Sequence, residues 1–99
     1  MGNMKGSRHR TYSLVRVEML VRYKPEVPDP ARASILANLR EQGYEQVTSV
    51  VVAKFFQMKF VDSTLRKSRS DAVAFGRKLL ANSVTERFEI LKVEAVKAA

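Results

Sequence analysis

The chain contains no cysteine and a single histidine, His9, among its 99 residues. Without cysteine it has no disulfide scaffold, no thiolate zinc site, no iron–sulfur cluster and no cysteine nucleophile. One histidine leaves no histidine-based metal cluster and no Ser-His-Asp triad. The sequence therefore offers few of the side chains from which a catalytic or metal site is built.

Glycine-rich phosphate loops and long apolar runs are missing as well. The four glycines are dispersed, so neither the Walker nor the dinucleotide-binding signature is present. The longest apolar stretch, Val50–Phe56, is interrupted by Lys54 and is far shorter than the roughly 18 residues of a membrane span. The basic start is not followed by the apolar core of a signal peptide. We therefore expect a cytoplasmic protein that binds no cofactor of its own.

The composition is that of a globular domain, with 45% apolar and 28% charged residues. A length of 99 residues suits one domain with one two-layer core. Residues 1–13 combine glycine, serine and basic side chains with almost no apolar ones, which predicts a disordered basic tail. We expect the domain to occupy residues 14–92 and the C-terminus, residues 93–99, to fray.

A strand followed by a helix opens the predicted domain. Residues 14–24 alternate between apolar and charged side chains, which indicates a half-buried strand. Pro25 and Pro28 end it. Asp29 and Pro30 then suit the N-cap and first position of a helix, and Gly43 suits its C-terminal end. The apolar residues at helical spacing are Ala31, Ile35, Leu36 and Leu39.

The segment Val47–Val61 is rich in β-branched and aromatic residues but too long for one flat strand. At about 3.3 Å per residue it would span about 50 Å. We expect either two strands or one strongly bent strand, with the change near Ala53–Lys54. No Asn-Gly or similar turn decides between these alternatives.

The last third of the sequence predicts a second helix and a last strand. Asp62, Ser63 and Thr64 are N-cap candidates. The helical pattern is clear over Ser70–Ala81, and Gly76 on its apolar face would allow close packing on the sheet. The apolar face comprises Ala72, Phe75, Gly76 and Leu79. Val84, Phe88 and Ile90 alternate along the last strand.

These elements predict an α+β two-layer sandwich, with two helices on one face of a mostly antiparallel three- or four-stranded sheet. The opposite face then carries more apolar side chains than scattered surface exposure explains. We interpret it as a homo-oligomer interface, at least dimeric, that includes Leu20, Val51 and Phe55.

The excess positive charge lies in two places. Of the net charge of +8, the segment 63–80 contributes +4 and the tail +3. A basic helix face suits an acidic protein partner, with Arg69 and Arg77 as candidate docking residues. A small nucleic-acid-binding domain is the alternative. The run Lys54–Val61 is similar to the base-stacking motif of RNA recognition modules, but it lacks both glycines that admit bases. A small-molecule regulatory domain is a third possibility, for which no residue supplies a ligand site.

Two segments together resemble the PurS family. They are Tyr23–Pro30 (YKPEVPDP) and Lys78–Asn82 (KLLAN), in the order and spacing of the family. Between and after them lie further matching residues: Gly43, Tyr44, Val47, Val50, Lys54, Val84 and Glu86. The resemblance covers residues 14–90. The sequence departs from the family pattern at Ser83, where proline is usual. It also departs in the second helix, which is usually acidic and is basic in this chain.

The resemblance implies the small subunit of phosphoribosylformylglycinamidine synthase, which makes formylglycinamidine ribonucleotide from formylglycinamide ribonucleotide, glutamine and ATP in purine synthesis. In that family a PurL subunit uses ATP and Mg²⁺ for the synthetase step and a PurQ subunit releases ammonia from glutamine. The resemblance implies that the small subunit bridges them and aids ammonia passage. The implied partners are thus a PurL-like and a PurQ-like protein, with no catalytic residue in this chain.

Overall fold

The computed structural model describes residues 9–97, which form three strands and two helices. The strands are β1 (Thr11–Tyr23), β2 (Ala53–Thr64) and β3 (Glu86–Ala95). They form one antiparallel sheet in the order β2-β1-β3. The helices are α1 (Pro30–Glu41) and α2 (Leu65–Phe75). The predicted α+β class is confirmed, with three strands rather than four.

The central strand β1 supplies the centre of the core. Its alternate residues Val15, Val17, Met19 and Val21 are almost completely buried, as the period of two predicts. The strand begins at Thr11, three residues before the predicted start, so the predicted tail 1–13 is too long at this end. The reason is pairing: Thr11 lies opposite Thr64 at the end of β2. Most of the predicted tail, residues 1–8, lies outside the described residues.

The apolar segment Val47–Val61 contributes to a single strand, β2, which begins after the first six residues of the segment. β2 begins at Ala53 and the six residues before it are not in the sheet. The last ladder pair joins Ala53 to Arg22, and beyond it β1 ends before Pro25. Among the described residues, 47–52 therefore have no strand to pair with, and at its other end β2 continues to Thr64.

A crossover connects β2 to β3 and places α2 on the sheet. Both strands are antiparallel to β1, which lies between them, so they run parallel to each other. The crossover carries α2 across one face, called here the inner face. Thr64 caps α2 by accepting a 2.9 Å hydrogen bond from the backbone N–H of Lys67. The buried Ser68 hydroxyl donates to Ser63 at 2.8 Å and ties the first turn of the helix to β2.

A π-helical turn, Gly76–Leu80, extends α2 and changes which leucine packs on the core. The N–H of Ala81 donates to the carbonyl of Gly76, five residues earlier, at 3.1 Å. This wider turn rotates the later side chains relative to an α-helix. Leu80 packs against the core, whereas Leu79, predicted on the apolar face, is 77% exposed.

Gly76 lies directly against Phe88 of β3, as the predicted close approach requires. A Cβ atom added to Gly76 would be 3.0 Å from three carbons of the Phe88 ring. We expect Gly76→Val to lower the free energy of unfolding by about 1–3 kcal/mol through overpacking. Thermal unfolding measures this, and Ser70→Val on the exposed side of α2 controls for the helix propensity of valine. Equal melting temperatures for the two variants would contradict the close packing.

The first helix forms as predicted but does not lie on the sheet. The Asp29 carboxylate accepts from the N–H of Ala31 at 3.0 Å, and Gly43 after the helix has φ +93°. No residue of α1 is buried, and the helix makes almost no contact with the strands. Of the two helices in the described part of the chain, α2 alone therefore covers the inner face, in contrast to the predicted pair of helices.

The last strand reaches further than predicted. β3 runs to Ala95, where it pairs with Val15, so residues 93–95 belong to the sheet and do not fray. Val15, Arg16 and Val17 of β1 offer ladder partners to the end of β3 as well as to β2. Residues 98–99 lie outside the described part of the chain.

Candidate protein-interaction surfaces

The outer face of the sheet, opposite α2, has a charged centre. The Arg16 guanidinium donates a hydrogen bond to the Glu94 carboxylate, and its Nε lies 3.9 Å from Glu18 Oε2. Gln57 Nε2 donates to the same Glu18 oxygen at 3.0 Å. The hydrogen bond that Arg16 donates to Glu94 raises the pKa of Arg16 against the opposing effect of desolvation. The cluster fixes long side chains across all three strands.

Apolar side chains flank this charged centre at both ends. Leu20 lies opposite Phe55 toward one end, and Leu14 lies opposite Val61 toward the other. Phe55 is 54% exposed and Val61 is 73% exposed. The structure thus brings two of the predicted interface residues, Leu20 and Phe55, together as a cross-strand pair.

The third predicted interface residue, Val51, is not on the sheet. It precedes β2 by two residues and is 62% exposed. Its expected place on the outer face depended on a strand through residues 47–52, which has no partner beyond Arg22. Val51 belongs instead to the long connection between β1 and β2.

The connection between β1 and β2, residues 24–52, is an elongated segment without a core of its own and is called the arm. None of its residues is buried. Its apolar side chains include Ile35, which is 41% exposed, and Tyr44. The molecule measures 52 × 28 × 23 Å with a radius of gyration of 17.7 Å, against about 13 Å for a compact chain of this length. Helix α1 thus presents its apolar side without a packing partner among residues 9–97.

A groove of about 690 Å³ runs along α2 beside the edge strand β3. The predicted docking residues Arg69 and Arg77 both line it, and so does Arg66. Val73 and Val93 supply part of its apolar wall. The charge of Arg66 was part of the predicted basic helix face, but its place beside Arg69 and Arg77 was not predicted. Arg69 and Arg77 follow Arg66 by three and eleven residues, which is a spacing that puts side chains on one side of a helix. This spacing is the signal from which the grouping could have been predicted.

The two segments that carry the family resemblance meet at one end of the sheet. The N–H of Lys24 donates to the Thr85 carbonyl at 2.9 Å, and its ammonium donates to the Ser83 carbonyl at 2.8 Å. Asn82 accepts from the N–H of Val84 at 3.0 Å and its own N–H donates to Glu86 at 2.8 Å. These bonds order the turn into β3, so the segments have a clear structural role.

A cavity of about 210 Å³ lies beside this turn. Four residues of the resemblance line it, namely Tyr23, Asp29, Lys54 and Glu86. It is small and open, and its lining brings an ammonium, the Arg22 guanidinium and two carboxylates to one end of the sheet.

The aromatic residues of Lys54–Val61 do not form a base-stacking platform. Phe56 and Phe60 pack against the core, and Phe60 stacks on Phe75 with ring centroids 6.3 Å apart. Phe55 is the exposed aromatic residue of β2, on the opposite face. One outward ring differs from the set of sheet aromatics that stack bases in RNA recognition modules.

Neither a metal site nor a membrane span emerges between residues 9 and 97. Within that range no group of three or more histidine, cysteine, aspartate or glutamate side chains is placed to hold a metal ion. No helix in the same range has the length and apolar character needed to cross a bilayer. The candidate functional features are therefore the outer face, the arm, the groove and the sheet-end cavity.

Fold and surfaces together define a small α+β domain with an unpartnered apolar arm and a cationic groove. The family that matches is PurS, described as phosphoribosylformylglycinamidine (FGAM) synthase, over residues 16–94. The chain therefore belongs to the PurS family, whose members are subunits of FGAM synthase in purine biosynthesis.

Solved PurS structures share the fold. The Methanocaldococcus jannaschii protein, one of the subunits of formylglycinamide ribonucleotide amidotransferase in the purine biosynthetic pathway, is 25% identical with a TM-score of 0.74, covering 84% of this chain and 99% of that chain. Thermus thermophilus PurS is 25% identical with a TM-score of 0.73, covering 85% and 99%. Bacillus subtilis PurS is 26% identical with a TM-score of 0.70, covering 81% and 98%. A comparison with the curated proteins finds no match.

Proposed function

We propose that this chain is the non-catalytic small subunit of a cytoplasmic FGAM synthase complex. In this role it bridges a PurL-like synthetase subunit and a PurQ-like glutaminase subunit and aids the passage of ammonia between them. The synthetase subunit, rather than this chain, uses ATP and Mg²⁺. The observation that carries the proposal is the family match over residues 16–94. The exposed arm, outer face and groove are consistent with a role in assembly.

A homo-oligomer, at least a dimer, is part of the proposal. An arm in which no residue is buried leaves apolar side chains in water, and the outer face of the sheet does the same at Phe55 and Val61. Burial of apolar surface is favourable by about 25 cal/mol per Å². A second copy offers both surfaces at equal concentration, so each copy can cover the apolar residues of the other.

Co-purification tests the bridging role. The chain is expressed together with the PurL-like and PurQ-like proteins of the same genome, each with a different tag. We expect one complex that contains all three proteins and elutes as a single species in gel filtration. A complex of the other two proteins that excludes this chain would contradict the proposal.

The basic side of α2 is expected to accelerate assembly. Replacing Arg69 and Arg77 by Gln should leave the melting temperature nearly unchanged, because exposed charges contribute little to stability. Association with the PurL-like subunit should slow at low salt, since complementary charge raises encounter rates. Stopped-flow or surface-binding kinetics measure the change, which should fade above about 0.5 M salt. Equal association rates at low salt would leave this side of α2 without a part in encounter.

A further inference from the structure

The groove beside α2 carries positive charge, and no carboxylate in its lining neutralises that charge. Three arginines line it, Arg66, Arg69 and Arg77, and no carboxylate does. Among the described residues none of the three has an ion-pair partner within 4.0 Å. The nearby carboxylate of Asp71 is paired with Lys67 at 2.8 Å and does not line the groove. The positive charge of the groove is therefore uncompensated within the described chain.

The arginines are arranged along a line of defined length. Arg66 and Arg77 are eleven residues apart, which is about three helical turns and about 16 Å at 1.5 Å per residue. Arg69 lies one turn after Arg66 on the same side of α2. A partner helix of about three turns would therefore meet all three cationic side chains.

The groove also offers apolar contact between the charges. Leu65 and Val73 of α2 and Val93 of β3 line it, and β3 is an edge strand. A lining that combines arginines with apolar side chains complements an amphipathic helix that has carboxylates beside its apolar stripe. An arginine guanidinium binds carboxylates with up to two parallel hydrogen bonds.

We propose that this groove binds an acidic amphipathic helix of another subunit of the complex. The inference rests on the proposed function, because it takes the partner from the same assembly. A second copy of this chain fits poorly by charge. Helix α1, its own free amphipathic element, carries Arg32 and Arg40 against Glu41 and has no acidic residue in its first turn. With one carboxylate among its twelve residues, α1 offers little to pair with the three arginines of the groove.

Site-specific crosslinking tests the occupant, because the chain contains no cysteine and accepts a single one without background. Ser70→Cys, in the groove, carries a benzophenone label, and Lys78→Cys on the adjoining π-helical turn, outside the lining, is the matched control. Each labelled protein is mixed with the PurL-like and PurQ-like subunits, complex formation is checked by gel filtration, and crosslinked peptides are identified by mass spectrometry. We expect the Ser70→Cys label to capture one acidic, amphipathic helical segment and the Lys78→Cys label to miss it.

Charge reversal provides the affinity test. Arg69→Glu and Lys78→Glu change the net charge equally, and both positions are exposed. We expect Arg69→Glu to weaken binding at least tenfold and Lys78→Glu less than about twofold, because only the first loses a direct carboxylate contact. A Glu→Lys change in the captured segment should restore binding to Arg69→Glu.

The outcomes separate the inference from the proposed function. If the complex forms but the Ser70→Cys label captures a second copy, a segment without acidic residues or nothing, the inference is wrong and the proposed function stands. If Arg69→Glu and Lys78→Glu bind equally, the groove is likewise not the docking site. If no complex forms with the unlabelled chain, both fail together.

Discussion

Replacing Met19 by Ala is expected to lower the free energy of unfolding by about 2–5 kcal/mol, since it leaves a cavity in the core. Met19 is fully buried at the middle of the central strand, between Phe56 of β2 and Ile90 of β3. With strands on both sides and α2 on the inner face, the surrounding backbone has little freedom to collapse into the space. Denaturant unfolding at one fixed protein concentration measures the change.

Met19→Leu is the control for this prediction. It keeps nearly the same volume and is expected to cost less than about 1.5 kcal/mol. If the free energies of unfolding of Met19→Ala and of the unchanged protein differ by less than about 0.5 kcal/mol, the core is not centred on β1.

Replacing Phe55 by Glu is expected to shift the protein from oligomer to monomer. Phe55 is half exposed and forms an apolar cross-strand pair with Leu20 on the outer face. A carboxylate buried there without a cationic partner would cost several kcal/mol in the interface, but it would stay in water in the monomer. Light scattering measures the mass, and circular dichroism checks that the fold is retained.

Val84→Glu is the matched control for the outer face. Val84 is also an exposed apolar residue, but it lies in the turn before β3. Its replacement should leave the oligomer unchanged. Equal masses for Phe55→Glu and the unchanged protein would show that the outer face is not the interface.

Local sequence signals predicted the elements whose causes are local. Asp29 and Pro30 start α1 and the glycine at position 43 follows its end, because capping depends on neighbouring backbone groups. The alternation in β1 identified its buried side. In each case the residues that decide the structure lie within a few positions of one another.

The predictions that failed depend on distant partners. The start of β2 at Ala53 is set by where β1 ends, and the reach of β3 to Ala95 is set by its pairing with Val15 of β1. The π-helical turn after Gly76 rotates Leu79 into water, a change that a uniform helical period cannot predict. The free position of α1 follows from tertiary packing, which helix propensity and apolar spacing do not specify.

The candidate surfaces were predictable to the extent that they lie on one element. Arg69 of α2 and Arg77 of the π-helical turn were assigned from the sequence to one basic helix face, and the groove follows once β3 is placed beside them. The Arg16–Glu94 pair joins residues 78 positions apart and needed the register of β3. Val51 was wrongly predicted to lie on the sheet because the strand was predicted to begin before Ala53.

The dependence of glutamine-driven FGAM synthesis on this chain tests the central claim most directly. The PurL-like and PurQ-like proteins of the same genome are assayed with formylglycinamide ribonucleotide, ATP, Mg²⁺ and glutamine, with and without this chain. We predict strong synthesis only when all three proteins are present, and no product from this chain alone. An equal rate without this chain, or turnover by this chain alone, would contradict its assignment as a non-catalytic subunit.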